Sequence, residues 1–220
     1  MDIQILIALN GAHTPALDKL MWWFSLPTNA LWLTIYVLLI IAIVWLYRGQ
    51  NLTDDSKGNS FRSWLPLIGA LVAIAMAVGL ADYISSGILK PWVGRLRPTH
   101  EPALDGMLHI VNNYRGGTYG FPSSHAANTM AVTLIVWLLC GVHRYRSVGR
   151  TTLRPFINGG GIALLLIYVL PNCISRIYLG VHYPSDIIVG LLIGALTALF
   201  AFGLFKLLVR KILIIKSHIS

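Results

Sequence analysis

The chain has 220 residues, of which 56% are hydrophobic and only 11% are charged, and its formal net charge is +9. This composition excludes a soluble domain of ordinary make-up, in which about 25% of residues are charged. It predicts an integral membrane protein, in which the location of the basic residues has to explain the positive balance.

Five apolar segments are long enough to cross a bilayer as helices, which takes about 20 residues each. They lie at 30–47, 64–88, 125–142, 157–174 and 187–209. The amino-terminal segment 1–27 is mixed in polarity and carries Trp22 and Trp23, which favours an interfacial helix, with a short sixth crossing as the alternative. We expect an all-α, polytopic transmembrane helical bundle that forms a single membrane-embedded domain over residues 1–220.

Most of the basic residues fall in three segments that a five-span topology puts on one side of the membrane. Eleven of the 17 lysines and arginines do so: Arg48, Lys57, Arg62, Arg144, Arg146, Arg150, Arg154, Lys206, Arg210, Lys211 and Lys216. The positive-inside rule makes that side cytoplasmic, so the net charge indicates topology and attraction to anionic lipid, not nucleic-acid binding. We expect a multi-pass protein of a cytoplasmic (inner) membrane.

The outer side nevertheless retains basic residues, which the positive-inside rule alone does not explain. Three polar clusters lie there: KPWVGRLRP at 90–98, PSSH at 122–125 and SRIYLGVHYPSD at 175–186. Each adjoins the outer end of a predicted span, so packed helices would bring the three clusters together at a similar depth. Charged residues in such a position are by default a hypothesis about function.

Three cations in these clusters predict a phosphate-binding site. Lys90, Arg97 and Arg176 supply the positive charge. The planar fork of arginine suits two phosphate oxygens, and lysine adds a point charge. Ser123 and Ser124 directly precede an apolar run, as at a helix start, where the first N–H groups bind anions.

Two histidines in the same clusters indicate catalysis as well as binding. A neutral imidazole can attack phosphorus to form a phosphohistidine, while a second, protonated imidazole gives a proton to the leaving oxygen. Asp186 lies four residues after His182, so a helical turn would put its carboxylate on Nδ1 and leave Nε2 free to attack. His182 is then the candidate nucleophile, Asp186 its orienting group and His125 the candidate acid.

The three clusters resemble the signature motifs of the type 2 phosphatidic acid phosphatase superfamily, which includes membrane lipid phosphatases, bacterial acid phosphatases and vanadium haloperoxidases. The matching residues are Lys90, Arg97, Pro98, Pro122, Ser123, His125, Ser175, Arg176, His182 and Asp186, within residues 82–190. Ser124 stands where the second motif usually has glycine, and its backbone N–H remains available to an anion. The resemblance implies the same roles for these residues and inhibition by vanadate.

The expected enzyme needs neither a metal nor another cofactor. Its outer loops hold only Glu101 and Asp105 besides Asp186, which are too few carboxylates for a two-metal site. A site at headgroup depth favours a lipid phosphate that enters sideways from the bilayer, and membrane lipids are the expected partners. The protein is therefore expected to be a metal-independent lipid phosphatase with its active site on the outer, periplasmic side.

The substrate and the phosphoryl acceptor stay open at this level. Undecaprenyl pyrophosphate is the first expectation, because the resemblance implies that this lipid is recycled on the outer face. Phosphatidylglycerol phosphate, phosphatidic acid and the 1-phosphate of lipid A are the alternatives. A phosphotransferase that uses a second lipid as acceptor, and a non-catalytic lipid-binding or transport protein, are rival functions.

Residues outside the motifs receive further hypotheses. The loop 99–120 is long enough to read a lipid headgroup, with Asn113, Tyr114 and Arg115 as its candidates. Asp82, inside the second predicted span, is either a buried structural partner or part of the site. Arg95 lies off the fixed motif positions and is expected to face lipid headgroups.

Overall fold

The computed structural model describes residues 1–26, 60–148 and 164–219. The predicted span 30–47 lies outside these residues, and so do the first seven residues, 157–163, of the predicted span 157–174. Within the described ranges the regular structure is helical, apart from one isolated antiparallel bridge between Leu96 and Tyr119. The prediction of an all-α fold is confirmed.

Seven α-helices lie in the described ranges: α1 (Asp2–Gly11), α2 (Pro15–Ser25), α3 (Ser60–Asp82), α4 (Lys90–Val93), α5 (Ser124–Val148), α6 (Leu170–Tyr178) and α7 (Pro184–Ile219). A π-helical segment, Tyr83–Leu89, joins α3 to α4, and another, Leu165–Val169, leads into α6. In this part of the chain three helical stretches are long and apolar enough to cross a membrane: Trp64–Val93, Ser124–Gly141 and Pro184–Val209. They correspond to the predicted spans 64–88, 125–142 and 187–209, and the shorter apolar helix Leu165–Tyr178 lies at the fourth.

The amino-terminal segment forms two helices where the sequence predicts one interfacial helix. Thr14 caps α2 by accepting a hydrogen bond from the Leu17 N–H at 3.2 Å, and Pro15 occupies the first helical position. A capping threonine followed by proline starts a new helix, because proline lacks the N–H that continuation of the previous helix requires. The segment therefore forms two helices joined by a short link, the amino-terminal helix pair.

Helices α3, α5 and α7 pack together through small side chains. Ala73 and Ala77 of α3, Ala131 of α5 and Ala201 of α7 are buried in one common apolar cluster. Small residues let helix backbones approach closely, which is how helices associate where lipid surrounds them. Large apolar side chains such as Leu196 point outward instead, as expected for a surface that faces lipid.

The amino-terminal helix pair docks against α6 and the loop that precedes α5. The Asn10 side chain is buried, and its amide donates to the Tyr178 carbonyl at 2.7 Å and to the His109 carbonyl at 2.9 Å. The His109 N–H in turn donates to Asn10 Oδ1 at 2.8 Å. A buried amide with its hydrogen bonds satisfied fixes α1, the end of α6 and the loop at His109 in one geometry. The amino-terminal helix pair is therefore part of the structure that surrounds the three polar clusters.

Candidate active site

The second cluster forms the start of α5. Ser123 precedes the first helical residue, and its Oγ accepts a hydrogen bond from the Ala126 N–H at 3.4 Å. The Ser123 N–H donates to the Asp186 carbonyl at 3.0 Å. His125 therefore lies in the first turn of α5, and this end of the helix is fixed directly to the first turn of α7.

The third cluster brings His182 and Asp186 together although the helix does not include His182. Helix α7 begins at Pro184, and Asp186 Oδ2 accepts a hydrogen bond from the Tyr183 N–H at 3.0 Å. An acidic side chain in the first turn that binds the N–H preceding the helix is the arrangement of a capping box. The same oxygen lies 3.3 Å from His182 Nδ1, and both side chains are buried. The cap thus holds the carboxylate where it can orient the imidazole.

The first cluster contributes two cations with different surroundings. Lys90 Nζ donates to Ser124 Oγ and, at 3.4 Å, to Ser86 Oγ. Arg97 is buried, and its Nε donates to the Tyr119 carbonyl at 3.1 Å. Lys90 therefore reaches the start of α5 from the end of the first described span, while Arg97 is held by the loop in front of α5.

Two glycines allow that loop to pass close to Arg97. Gly116 has a φ of +68°, and a β-carbon there would lie 2.6 Å from Arg97 Nη1. A β-carbon at Gly120 would lie 3.1 Å from Arg97 Cγ and 3.2 Å from Asp186 Oδ2. A larger residue at either position would displace the arginine, so these glycines help to place its guanidinium beside the histidine–aspartate pair.

Arg176 is almost fully buried near the end of α6 and forms hydrogen bonds on two sides. Its Nη1 donates to Ser25 Oγ at 2.5 Å, at the end of α2, and its Nη2 donates to the Tyr114 hydroxyl at 3.2 Å. Burial raises the pKa of Tyr114, but the charge and hydrogen bond of Arg176 outweigh burial, so the pKa lies below 10.0. The positive charge of Arg176 also adds to burial in lowering the pKa of Arg97. The two guanidinium groups therefore bring their positive charge to the same part of the site.

The electrostatic surroundings favour a neutral His182. Burial, followed by the positive charges of Arg176, Arg97 and Lys90 and then by His125, holds the pKa of His182 well below 6.5. The groups that act on His182 thus include all three predicted cations and the other predicted histidine. A neutral imidazole with its Nδ1 toward a carboxylate has its Nε2 lone pair available for attack on phosphorus.

Several buried polar atoms of this site lack a hydrogen-bond partner. Among the described residues, six buried side-chain atoms do so: Arg97 Nη1, His125 Nε2, Asn128 Oδ1, Thr133 Oγ1, Asn172 Oδ1 and Arg176 Nε. Two of them belong to arginines that the sequence assigns to phosphate, and a third belongs to His125, the candidate acid. Leaving a buried donor unpaired costs about 1–3 kcal/mol, and more for a charged group, so such atoms commonly mark a place where a ligand binds.

The three headgroup candidates of the loop 99–120 differ in their contacts. Tyr114 binds Arg176, whereas Asn113 and Arg115 are exposed. Arg115 Nη1 donates to the Thr99 carbonyl at 2.9 Å, and Thr99 Oγ1 donates back to the Arg115 carbonyl at 2.7 Å. Tyr114 therefore touches Arg176, which the sequence assigns to phosphate, and Arg115 lies at the rim of the site.

The expectation that Arg95 faces lipid headgroups is wrong. Its Nη1 donates to Asp186 Oδ1 at 2.8 Å, and its Nη2 pairs with Asp2 Oδ2 at 3.0 Å. Sequence reasoning missed Asp2 as well, together with Ser25. These residues are 93 and 151 positions away from their partners Arg95 and Arg176, and no local pattern relates them.

The role of Asp82 is also clearer in the structure. Its side chain is exposed rather than buried, so the alternative of a buried structural partner is wrong. Asp82 Oδ1 accepts a hydrogen bond from the Asn128 amide at 3.1 Å and lies 3.5 Å from Ser86 Oγ. It therefore links the first described span to α5, about one turn below the Lys90–Ser124 contact.

Comparison with known proteins adds independent findings. The PAP2 superfamily model matches residues 66–210. The chain is 30% identical over 213 residues to the lipid A 4′-phosphatase of Bacteroides thetaiotaomicron, covering 96% of this chain and 80% of that protein. It is 28% identical over 211 residues to the lipid A 4′-phosphatase of Porphyromonas gingivalis, covering 93% of this chain and 73% of that protein.

A solved structure shares the fold. The transmembrane PAP2-type phosphatidylglycerolphosphate phosphatase from Bacillus subtilis aligns with a TM-score of 0.57 at 22% identity, covering 93% of this chain and 84% of that chain. The family match contains all three polar clusters and takes in most of the chain. The chain is therefore a multi-pass membrane protein that belongs to the membrane phosphatase branch of the PAP2 superfamily.

Proposed function

We propose that this protein removes phosphate from a lipid headgroup through a phosphohistidine formed on His182. The observation that carries the proposal is the set of unpaired buried donors on Arg97 and Arg176 beside a neutral His182. A tetrahedral phosphate would accept hydrogen bonds from both guanidinium groups and would balance the positive charge of the site.

The proposed reaction has two half-reactions. In the first, the Nε2 lone pair of His182 bonds to phosphorus, the bond to the leaving oxygen breaks, and that oxygen takes a proton from His125. In the second, a water oxygen bonds to phosphorus, the phosphorus–nitrogen bond breaks with its electron pair returning to Nε2, and a proton of the water goes to His125. Asp186 keeps Nδ1 protonated and stabilises the charge that develops on the ring.

Lys90, Arg97 and Arg176 supply the electrostatic stabilisation in this scheme. Negative charge builds up on the equatorial phosphate oxygens in the transition state, and preorganised cations in a buried site stabilise it without reorganisation. The Ser123–Ser124 start of α5 adds first-turn N–H groups. We propose that no metal takes part, because these side chains already provide the charge that a metal would supply and the outer loops are poor in carboxylates.

For the substrate, we place a phosphate monoester on a lipid A-type glycolipid first. Its support is that two relatives named lipid A 4′-phosphatase align over nearly the whole of this chain. Undecaprenyl pyrophosphate, the expectation from the sequence, is the second candidate, because three cations suit a diphosphate. In both cases the phosphate would enter sideways at headgroup depth while the acyl or prenyl tails stay in the bilayer.

A panel assay tests this proposal. Purified protein is supplied with lipid A, undecaprenyl pyrophosphate, phosphatidylglycerol phosphate, phosphatidic acid and a soluble phosphate monoester, each with and without an acceptor lipid. We expect phosphate release from lipid substrates to exceed release from the soluble ester. If phosphate passes to the acceptor lipid and none is released, the reaction is phosphotransfer and not hydrolysis. Equal rates on soluble and lipid substrates would contradict lateral entry.

The proposed outer location has its own test. Single cysteines introduced near Asn112 and near Ser147 are treated in intact cells with a membrane-impermeant thiol reagent. We expect labelling near Asn112 and protection near Ser147, since the basic segments assign the latter to the cytoplasm. The reverse labelling would move the active site to the inner face.

A further inference from the structure

One arginine connects the first helix of the chain to the carboxylate of the proposed catalytic pair. Arg95 Nη1 donates to Asp186 Oδ1 at 2.8 Å, and Arg95 Nη2 donates to Asp2 Oδ2 at 3.0 Å. Asp2 is the first residue of α1, and Asp186 lies in the first turn of α7. Arg95 therefore joins two carboxylates from opposite ends of the sequence.

The same residues make further contacts with the start of α7. The Ser185 N–H donates to Asp2 Oδ1 at 3.0 Å, and the Ser185 hydroxyl donates to Asp2 Oδ2. The Arg95 guanidinium lies over the Tyr183 ring, 3.9 Å from its centroid, and also donates to Ser185 Oγ at 2.7 Å. Burial raises the pKa of Asp2, but the hydrogen bonds from Ser185 and Arg95 outweigh burial and leave the pKa below 3.8. Asp2 is thus ionised and bound to the segment that directly follows His182.

The two oxygens of Asp186 have separate tasks in this arrangement. Oδ2 faces His182 Nδ1 and the Tyr183 N–H, while Oδ1 faces Arg95. Asp186 is fully buried, and among the described residues Arg95 is the arginine that donates a hydrogen bond to it. A buried carboxylate that loses its cation carries an uncompensated charge, and it also loses the contact that fixes its rotation.

We propose that Asp2 and Arg95 are positioning residues that hold Asp186 in register with His182, so that docking of α1 completes the catalytic pair. This inference rests on the proposed function. Neither residue needs to touch the substrate, because both act on the reaction through Asp186. The proposal concerns the Asp2–Arg95 ion pair of the amino-terminal helix pair and does not extend to the Asp18–His109 pair.

A matched pair of variants separates positioning from docking. Asp2→Asn keeps an oxygen that can accept from the Ser185 N–H but removes the charge that binds Arg95. Asp18→Asn is the control. Asp18 also docks the amino-terminal helix pair, because it accepts a hydrogen bond from the Tyr178 hydroxyl at 2.6 Å and pairs with His109 at 3.0 Å. Asp18 does not touch His182 or Asp186. Arg95→Gln and the double variant Asp2→Asn/Arg95→Gln complete a double-mutant cycle.

We expect kcat to fall on the order of tenfold in Asp2→Asn and further in Arg95→Gln, with KM within about twofold of wild type. The double variant should be no slower than Arg95→Gln alone, because both changes break one chain of contacts. Asp18→Asn should keep wild-type kcat, and Asp2→Glu should recover part of the loss by restoring the charge. Thermal unfolding in detergent is the control that tests whether the compared variants are folded.

Equal kcat values in Asp2→Asn and Asp18→Asn would overturn the proposal, as would additive losses in the cycle. A rise in KM at constant kcat would overturn it too, by making Arg95 a substrate-binding residue. If Arg95→Gln does not fold, the comparison of Asp2→Asn with Asp18→Asn decides alone. Phosphate release by the wild type and its loss in His182→Ala test the proposed function separately, so either result can fail without the other.

Discussion

Gly190 of α7 lies directly against Ser123, the residue that caps α5. A β-carbon at position 190 would be 2.4 Å from the Ser123 carbonyl oxygen and 3.0 Å from Ala126 Cβ. One turn further along α7, a β-carbon at Gly194 would be 2.2 Å from the Ala127 carbonyl oxygen. The two glycines therefore allow α5 and α7 to pack closely, and their contact sets the distance between the second and third polar clusters.

The first prediction concerns this contact. Gly190→Ala should destabilise the protein by about 1–3 kcal/mol, because the added methyl group forces α5 and α7 apart. Activity should fall as well, since Ser123 and His125 move away from His182. Gly203→Ala, in the same helix but with nothing within 4 Å of its β-carbon, is the control and should be neutral or slightly stabilising. Thermal unfolding and phosphate release measure both effects, and equal behaviour of the two variants would contradict the account.

Much of the fold could be predicted from the sequence because its signals are local. Long apolar runs gave three spans within a few residues, and the serines before an apolar run gave the start of α5. The division of the amino-terminal segment is also a local signal, carried by Thr14 and Pro15.

The contacts that organise the site could not be found in this way. Arg95 with Asp2 and Arg176 with Ser25 join residues 93 and 151 positions apart, through side chains that match no spacing rule. The Lys90 contact with Ser124 is of the same kind, since it depends on how two spans cross. Such pairs follow from the packing of the helices rather than from a pattern in any one of them.

The second prediction follows from the depressed pKa of His182. The folded protein resists protonation of this imidazole, whereas the unfolded chain takes up a proton near pH 6.5, so stability should fall as the pH drops below 6.5. The slope from this one residue is at most about 1.4 kcal/mol per pH unit. His182→Gln, which does not titrate, should show a shallower loss of thermal stability between pH 6.5 and 4.5. An unchanged pH dependence in that variant would show that His182 protonates in the folded protein at an ordinary pKa.

The third prediction separates phosphate binding from headgroup recognition. Tyr114→Phe removes the hydroxyl that accepts from Arg176, so KM should rise by a similar factor for every lipid phosphate. Arg115→Ala should instead change the order of preference among lipids, because this side chain lies at the exposed rim. The measurement is kcat/KM across the lipid panel for both variants. A uniform loss in Arg115→Ala would assign Arg115 to phosphate binding instead.

The fourth prediction concerns metals. Incubation with EDTA followed by removal of the chelator should leave phosphate release within about twofold of the untreated rate, because side-chain cations supply the charge that a metal would provide. Vanadate should inhibit, since its oxygens can imitate five-coordinate phosphorus. Loss of activity on chelation, with recovery on addition of magnesium or zinc, would contradict metal independence.

Trapping the phosphorylated enzyme would show directly whether His182 carries the phosphoryl group. Protein is mixed with lipid substrate labelled in the phosphate, quenched in alkali, where phosphohistidine is stable and phosphoserine esters are distinguishable, and mapped by mass spectrometry. We expect label on His182 in the wild type, none in His182→Ala, and slowed labelling in His125→Ala, with the largest effect for poor leaving groups. Label on any other residue, or turnover by His182→Ala, would contradict it.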